Sequence, residues 1–447
     1  MSGMRIVVIG AGPTGLFTGI GLARRGHQLT VVDRDPGPQP DGGWPRRGVM
    51  QFHHAHTFRG QVFHSLEREA PDALRRWLEA GAEPVRGTIP PGREVVLAVR
   101  SRRTTFERAV REAAAAQPGL ALEQGHVDEV TCDEGRANGI RTDSTHLPAD
   151  LVVDASGRSG RVNQQLRAAP EAGGACGIAY VDRVHRLREG ADPGPLHTPA
   201  AWTGAFDGYQ VLVFLHERGF FSTLILRSAD DPVLKQLRHR DAFEAACRAI
   251  PVLAAWTDPD RSQPSTEVLA GGQLLNQYRS QRGSDGGLAL PGLVFVGDAV
   301  CTTTPNFGRG VVTSLTQAEE LLDAVDDHDT DVDAVVERFD AWGEQHMRPW
   351  VEDHVRMDEA MGRRWHGEDV DLEQPLPSDL VLAAAQADPA IGQETFPYVA
   401  MLAGPSSLTD AERRARELYR RGWRPTPPDG PSAAGLRELV TAVTVRR

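Results

Sequence analysis

Three glycines near the start of the chain have the spacing of a dinucleotide-binding turn. Gly10 permits a tight turn, Gly12 lets the backbone approach a diphosphate, and Gly15 lets a helix pack closely on a strand. The helix that begins there offers free N–H groups and a partial positive charge to phosphate oxygens. Asp33, at the end of the next predicted strand, is placed to accept hydrogen bonds from ribose hydroxyls. The pattern predicts a dinucleotide site; a glycine-rich turn in an ordinary α/β domain is the alternative.

A second candidate segment lies much later in the chain. Asp298 comes directly after Gly297, where a carboxylate can accept a hydrogen bond from a ribityl hydroxyl of a flavin. The loop from Pro305 to Gly310 leads into a predicted helix at Val311, and its small residues let backbone N–H groups reach the pyrimidine end of an isoalloxazine ring. These groups and the helix dipole would stabilise negative charge on a reduced flavin. A generic strand-turn-helix connection is the alternative.

The middle of the chain holds a third polar turn. Asp154, Arg158 and Arg161 supply charge beside Ser and Gly residues, directly after a predicted strand. When this segment is considered alone, the alternative interpretation is an exposed polar loop. In this order and at this separation, the three segments predict a bound flavin dinucleotide that performs redox chemistry.

The elements around these segments are those that must position them. Residues 5–9 form a short β-branched run that ends in glycine, as a buried parallel strand would, and residues 13–26 and 29–33 complete a β-α-β unit. Further strands are predicted over 151–154 and 293–296, and a helix over 311–325. We expect the three loops to converge in space on one ligand.

The pattern of the sequence divides the chain into three regions. We predict an α/β fold in which a Rossmann-like FAD-binding domain carries a sheet-rich substrate domain as an insertion and a helical C-terminal extension. The insertion is assigned because strand-like runs alternate there with polar turns. The predicted boundaries are 1–85, 101–165 and 285–330 for the FAD-binding domain, 86–100 and 166–284 for the substrate domain, and 331–447 for the C-terminal helical region.

The bulk composition argues against several classes of partner. The chain has 447 residues and a formal net charge of −12 without a long basic run, so no nucleic acid partner is expected. Its four cysteines lack metal-ligand spacing and favour a reduced, cytoplasmic protein. The apolar run over residues 6–23 is interrupted by glycines and is assigned to the fold, so no membrane span is expected.

Four histidines, His53, His54, His56 and His64, lie close together in the sequence. Side chains at this spacing could bind a metal, contact a flavin or substrate, or be packed or solvated without a ligand. No Asp, Glu or Cys lies close enough in the sequence to complete an obvious site. Packed or solvated histidines are therefore favoured, and no metal is expected.

In this order and spacing, the three motifs resemble those of the flavoprotein monooxygenases with the p-hydroxybenzoate hydroxylase fold. The resemblance covers about residues 4–330 and implies FAD, with the glycine turn and Asp33 at its ADP half and Asp298 at its flavin half. It also implies that either Arg102 or Arg103, before a predicted helix, contacts the cofactor. The cofactor-binding residues expected from it are Gly10, Gly12, Pro13, Thr14, Gly15, Asp33, Arg34, Arg47, Arg103, Asp154, Gly297, Asp298, Pro305, Gly308, Gly310 and Val311.

One further segment narrows the resemblance. Residues 46–51, Arg-Arg-Gly-Val-Met-Gln, are similar to the segment that crosses the flavin in bacterial FAD-dependent epoxidases and related tailoring monooxygenases. The resemblance implies that Arg47, Gly48, Val49 and Gln51 touch the ring edge, and Arg47 and Gln51 are the candidate active-site contacts.

Two departures from these families leave the substrate open. Met50 stands where the epoxidase segment usually has proline. Cys301 stands where many aromatic hydroxylases of the fold carry histidine, although the epoxidase subgroup often has cysteine there.

The resemblance implies an FAD-dependent monooxygenase that transfers one oxygen atom from O2 to a small apolar or aromatic substrate, by hydroxylation or epoxidation, in secondary metabolism. The pocket is expected within the insertion. Its candidate aromatic residues are Tyr209, Phe214, Phe220, Phe221 and Tyr278, with plain core packing as the alternative for each. The chain has no second glycine fingerprint, so its electrons are expected from docked NAD(P)H, such as NADPH, or from a separate flavin reductase partner.

Three other functions remain open. A flavin halogenase needs a lysine near its substrate, and the only lysine of the chain, Lys235, lies in a polar stretch. An FAD-dependent oxidase or dehydrogenase, or a double-bond reductase, would use the same cofactor frame and is the main alternative. A flavin-free binding protein is the fourth.

Overall fold

The computed structural model describes residues 3–46, 48–89 and 92–445. The first part of the chain contains β1 (Arg5–Ile9), α1 (Pro13–Arg24), β2 (Gln28–Asp33), β3 (Phe58–Arg59), α2 (Gly60–Glu69), α3 (Pro71–Glu79), β4 (Glu83–Ile89), β5 (Arg93–Arg100), α4 (Arg103–Ala116), β6 (Leu120–Gln124), β7 (Val127–Asp133), β8 (Arg136–Thr142), β9 (His146–Pro148) and β10 (Leu151–Asp154). The middle contains α5 (Arg161–Leu166), β11 (Ala172–Ala175), β12 (Ile178–Leu187), β13 (Ala201–Phe206), β14 (Tyr209–Leu215), β15 (Phe220–Ser228), α6 (Arg240–Ala249), α7 (Pro251–Thr257), β16 (Ser262–Pro264), β17 (Leu269–Gly271) and β18 (Leu275–Tyr278). The last part contains β19 (Leu293–Phe295), β20 (Cys301–Thr302), α8 (Gly310–His328), α9 (Val332–His346), α10 (Arg348–Trp365), α11 (Ser378–Ala383), α12 (Pro389–Val399), α13 (Thr409–Arg420) and α14 (Ala433–Thr444).

A parallel sheet of five strands, in the order β19-β10-β1-β2-β6, carries the three predicted motifs. Its central strands are β-branched and buried on both faces, which is typical of a parallel sheet covered by helices. All five strands point the same way, so the loops after β1, β10 and β19 leave from one edge. The predicted β-α-β unit is present as β1, α1 and β2.

A second sheet is antiparallel and lies in the predicted insertion. Its order is β13-β14-β15-β12-β16, and β17 also pairs with β12. On one face, α6, α7 and α14 pack in a core that includes Phe243, Trp256 and Leu436. The other face carries a separate cluster that includes Tyr180, Phe214 and Leu224. Both faces are therefore buried, which explains the near-continuous apolar runs of β14 and β15.

The C-terminal region is helical, as predicted, and it packs against both of these sheets' cores. Helix α10 joins the large core of the parallel sheet through Trp350 and Val351, whereas α14 joins the core of the antiparallel sheet through Leu436 and Val440. The predicted domain boundaries stay predictions. Among the residues that the structure describes, no helix has the length and apolar character that crossing a bilayer requires.

Gly15 in α1 is required by packing. A Cβ at this position would lie 2.0 Å from the carbonyl oxygen of Gly10. We expect Gly15→Ala to lower the free energy of unfolding by about 3 kcal/mol, because the backbone must shift to relieve the overlap. Urea denaturation measures this change. Gly362→Ala in α10, where a Cβ would meet nothing within 4 Å, is the matched helical control. Equal losses in the two variants would contradict the packing requirement.

Candidate functional site

A cavity of about 560 Å³ lies between the carboxyl edge of the parallel sheet and the antiparallel sheet. Gly12 and Asp298 both line it, so the first and last motifs share one cleft. The other predicted residues in its wall are Gly10, Pro13, Thr14, Asp33, Arg34, Gly48, Val49, Gln51, Arg103, Pro305, Gly308, Gly310 and Val311. Gly15, Asp154 and Gly297 are not in the wall, and Arg47 lies outside the described residues.

The end of the cavity near β1 and β2 has the features of a nucleotide site. The Asp33 carboxylate accepts hydrogen bonds from the backbone N–H groups of Ala11 (2.6 Å) and Asp35 (2.7 Å), which fix its orientation. A carboxylate has further lone pairs, which can accept ribose hydroxyls. Gly10 has a φ of +104°, and a Cβ on Gly12 would meet no protein atom within 4 Å. The turn is thus open on the side where a diphosphate would approach.

Two arginines in the cavity wall are held by one buried carboxylate. Glu107 accepts hydrogen bonds from Arg46 Nε (3.2 Å) and from Arg103 Nε (2.6 Å). Arg46 Nη2 also donates to the Ala11 carbonyl, 2.9 Å away in the glycine turn. Arg102 instead pairs with Glu217 and does not line the cavity. Of the two arginines that fit the sequence pattern, at the start of α4, it is therefore Arg103 that lines the cavity.

Asp298 lines the cavity and is partly buried. Burial raises the pKa of its carboxyl, while Arg103, Arg158 and Ser314 lower it in part. The preceding residue, Gly297, has a φ of +74°, and a Cβ there would lie 2.9 Å from the side chain of Thr14. Gly297 therefore brings the turn against the start of α1.

Two helices begin at the cavity without a side-chain cap. Gly12 precedes α1 and Arg309 precedes α8, and neither makes a capping hydrogen bond with its side chain. The first N–H groups of a helix have no partner within it, so they are available to an anion or an electron-rich ring edge. Gly308, with a φ of +60°, turns the chain into α8. The two helix ends match the two places where FAD carries negative charge, its diphosphate and its reduced ring.

The Asp154 side chain has a structural role in the turn after β10. It is fully buried, and its Oδ1 accepts hydrogen bonds from the backbone N–H (2.9 Å) and the hydroxyl of Ser156. The residues that line the cavity in this segment are those after it, 155–162. This motif thus reaches the cavity through its turn and not through its carboxylate.

The histidine-bearing segment crosses the cavity, and its histidines differ in role. His54 Nδ1 bonds Asp182 Oδ2 at 2.6 Å and ties the segment to β12. His56 lines the cavity, and burial, helped by Arg103 and His216, lowers the pKa of its imidazole well below the usual value. His53 and His64 do not line the cavity. Within 3–46, 48–89 and 92–445, no group of three or more His, Cys, Asp or Glu could hold a metal.

The opposite end of the cavity is apolar. Its wall is formed by Tyr180 of β12, Phe214 of β14, Leu224 of β15 and Leu274. Of the five aromatic candidates, some of which were expected there, Phe214 lines the cavity. The other four do not line it. Tyr209 and Phe221 lie in the core under α6 and α7, Tyr278 lies in the large core, and Phe220 contacts Arg102.

Several wall residues escaped the sequence analysis. Arg46 is adjacent to the predicted Arg47; it has a left-handed backbone (φ 42°), and its side chain contacts the glycine turn at Ala11. Tyr180 and Leu224 gave no signal, because both faces of their sheet are apolar and the pattern cannot show which face meets a cavity. Leu274, between β17 and β18, gave none either.

Comparisons with known proteins agree with this geometry. Residues 5–123 match the family described as FAD dependent oxidoreductase. D-amino acid dehydrogenase 2 of Ralstonia nicotianae is 37% identical over 82 residues, which are 17% of this chain and 19% of that enzyme. A D-amino acid dehydrogenase of Sinorhizobium medicae is 39% identical over 49 residues, 11% of this chain and 12% of that enzyme. The chain thus spans less than a fifth of the length of these relatives.

Solved structures match over much more of the chain. The flavin-dependent brominase Bmp2 has a TM-score of 0.62 at 16% identity, with 94% of this chain and 99% of that chain covered. PqsL, described as a probable FAD-dependent monooxygenase from Pseudomonas aeruginosa, has a TM-score of 0.58 at 15% identity, with 81% and 98% covered. The chain has the fold of these flavoproteins.

These matches confirm the predicted α/β fold, with its parallel sheet, additional antiparallel sheets and helical C-terminal region. The resemblance to FAD-dependent monooxygenases is confirmed at the level of the fold. The family match over residues 5–123 also supports the prediction of a flavin-dependent oxidoreductase that uses FAD.

Proposed function

We propose that this chain is an FAD-dependent monooxygenase that acts on a small apolar or aromatic substrate. The observation that carries the proposal is that residues suited to three different parts of such a site share the wall of one cavity. Gly12 and Asp33 lie in the part of the wall that is suited to a dinucleotide. Asp298 and Gly310 lie in the part that is suited to a flavin ring, and Phe214 belongs to an uncharged part of the same wall. A ring held between these parts would meet an apolar molecule in a site lined by protein.

The roles proposed for the chain's own residues follow from their positions. Asp33 would hold the adenosine ribose, the start of α1 with Arg46 and Arg103 would neutralise the diphosphate, and Asp298 would hold the ribityl chain. When bound, FAD supplies the activation of O2 and the transfer of one oxygen atom. The chain's part is to orient the substrate and exclude water.

The apolar end favours a substrate without charge. The side chains that β12, β14 and β15 contribute to the wall are Tyr180, Phe214 and Leu224. A zwitterionic amino acid placed there would bury two charges without partners on this surface, which is costly. This argues against D-amino acids, the substrate class named for the curated relatives, as substrates of this chain. Dehydrogenation by FAD is the second candidate function, because the sequence of this chain aligns with part of those dehydrogenases.

Halogenation is less favoured. Lys235, the only lysine of the chain, is exposed on the short helix Leu234–Arg238 and does not line the cavity. We further propose that the protein acts in the cytoplasm, in secondary metabolism, and takes electrons from NAD(P)H or from a separate flavin reductase.

Isotope labelling tests the proposed reaction. FAD-loaded protein, reduced with NADPH and a flavin reductase, is mixed with ¹⁸O₂ and a panel of phenols and terminal alkenes. We expect a product that carries one heavy oxygen atom, detected by mass spectrometry, and none from H₂¹⁸O. Gly12→Val, which is expected not to hold FAD, is the control for flavin released into solution. A turned-over product without the label would reject monooxygenation and favour dehydrogenation.

A further inference from the structure

A buried cation lies behind the loop that would contact the flavin ring. Arg309 stands between Gly308 and Gly310, which line the cavity, but its own side chain is fully buried and does not line it. Its Nη1 lies 3.0 Å from His354 Nε2 and 3.5 Å from Asp353 Oδ2, both on α10. The loop is thus attached from behind to the C-terminal helical region.

Aromatic rings complete the surroundings of this cation. The Arg309 guanidinium lies over the rings of Phe307, Trp350 and Tyr398, at 4.7, 4.5 and 4.4 Å from their centroids. Contacts of this kind stabilise a desolvated cation. Tyr398 also donates a hydrogen bond from its hydroxyl to Asp353, which orients the carboxylate. The guanidinium is therefore held in one position by charge and by packing.

A second attachment holds the other end of the loop. The Thr304 hydroxyl lies 2.9 Å from His354 Nδ1, so His354 contacts both Thr304 and Arg309. Asn276 Oδ1 accepts a hydrogen bond from the Thr304 N–H (2.8 Å), and Asn276 Nδ2 donates to Asp358 Oδ2 (2.7 Å). Three residues of α10 thus fix the loop at both ends.

This arrangement is expensive for the fold. Burying a guanidinium costs several kcal/mol unless it is well paired, and Nε and Nη2 of Arg309 have no hydrogen-bond partner among the described residues. A simpler apolar contact would hold α10 against the loop at lower cost. Buried polar groups that give directional bonds instead specify one geometry. The directional contacts here end on the segment whose residues Pro305, Gly308 and Gly310 line the cavity.

We propose that Asp353, His354 and Asp358 are positioning residues through which α10 sets the geometry of the loop 304–310 at the flavin ring. The inference rests on the proposed function, since it assumes that this loop contacts FAD. It gives the C-terminal helical region a role in the affinity and reduction potential of the flavin, although none of the three residues lines the cavity.

The test compares variants of α10 contacts with an equally buried control. Asp353→Asn removes the charge that pairs with Arg309, and Tyr398→Phe is a milder change that removes only the hydroxyl bonded to Asp353. Asp340→Asn on α9 removes a buried carboxylate that bonds the Gln281 N–H and Arg282, away from the loop. For each apoprotein, the dissociation constant for FAD and the midpoint potential of the bound flavin are measured.

We expect Asp353→Asn to weaken FAD binding by about tenfold and to shift the midpoint potential, because a charged hydrogen bond that positions the loop is lost. Tyr398→Phe should change both quantities in the same direction by a smaller factor. Asp340→Asn should leave both at the wild-type values even where it lowers the melting temperature. The proposal is overturned if Asp353→Asn matches Asp340→Asn, or, where Asp353→Asn does not fold, if Tyr398→Phe matches the wild type. A wild-type chain that binds no FAD would instead reject the proposed function itself, and this inference with it.

Discussion

Gly12→Val is expected to weaken FAD binding by roughly a hundredfold or more while the fold stays intact. A Cβ at Gly12 meets no protein atom within 4 Å, and the residue has an ordinary extended backbone with φ −75° and ψ 174°. The backbone and the space at this position therefore accept a Cβ without strain. Its branched side chain would instead fill the space at the start of α1 that a diphosphate must enter. Titration of FAD into the apoprotein, followed by flavin fluorescence, measures the loss.

Gly404 supplies a matched control for this substitution. It also precedes a helix, has nearly the same backbone, with φ −73° and ψ 176°, and offers open space to a Cβ. It does not line the cavity. Gly404→Val should bind FAD with the wild-type constant and melt at a temperature similar to that of Gly12→Val. Retained FAD binding in Gly12→Val would show that no diphosphate approaches this turn.

Asp358→Asn is expected to become more stable than the wild type by a margin that grows as the pH rises. Burial raises the pKa of the Asp358 carboxyl from its ordinary 3.8 to about 7, against the hydrogen bonds from Asn276 and Thr304, which lower it. A carboxyl whose pKa is higher in the folded state than in the unfolded state lowers the free energy of unfolding at every pH where the unfolded chain is ionised, because ionisation is easier after unfolding. The penalty is absent below pH 3.8, grows with pH, and is complete above about pH 7.

The stability difference between Asp358→Asn and wild type should therefore grow, by about 2 to 3 kcal/mol in favour of the variant between pH 5 and pH 8. Urea denaturation at both pH values measures it. Asp369→Asn is the control, because the Arg424 hydrogen bonds hold the pKa of Asp369 at about 2, below this window. A difference for Asp358→Asn that does not change with pH would show that this carboxyl does not titrate as proposed.

The nucleotide-binding part of the chain was predictable from sequence because local rules specify it. Strand, turn, helix and acidic residue follow one another within residues 5–33, so spacing alone places Gly12 and Asp33 together. Asp298 was located for the same reason, because it follows a strand whose neighbours in a parallel sheet also end at this edge. Topology then brings together loops that lie far apart in the chain.

Roles that depend on long-range contacts were not predictable. Gly297 has the residue type of a ligand contact, and its close approach to Thr14, far away in the chain, could not be read from the sequence. Arg103 and Arg102 are neighbours in sequence, and Glu217 and Phe220, more than a hundred residues later, hold Arg102 away from the cavity.

The apolar end of the cavity was the least predictable part. Val213 and Phe214 are adjacent, buried residues of β14, yet they belong to different clusters on opposite faces of the sheet. Which face meets the cavity depends on where α6, α7 and α14 pack. One of these helices, α14, is more than two hundred residues away in the chain, so no local pattern in β14 reports it.

A comparison of the binding of FAD with the binding of its parts, ADP and FMN, tests the central claim most directly. A site that grips the diphosphate at Gly12 and the ring near Asp298 should bind FAD at 1:1 stoichiometry and at least about a hundredfold more tightly than either ADP or FMN. Calorimetric titration of the apoprotein with each ligand measures these constants. ADP binding as tightly as FAD, or a chain that takes up no flavin, would contradict the claim that one cavity holds both halves of FAD.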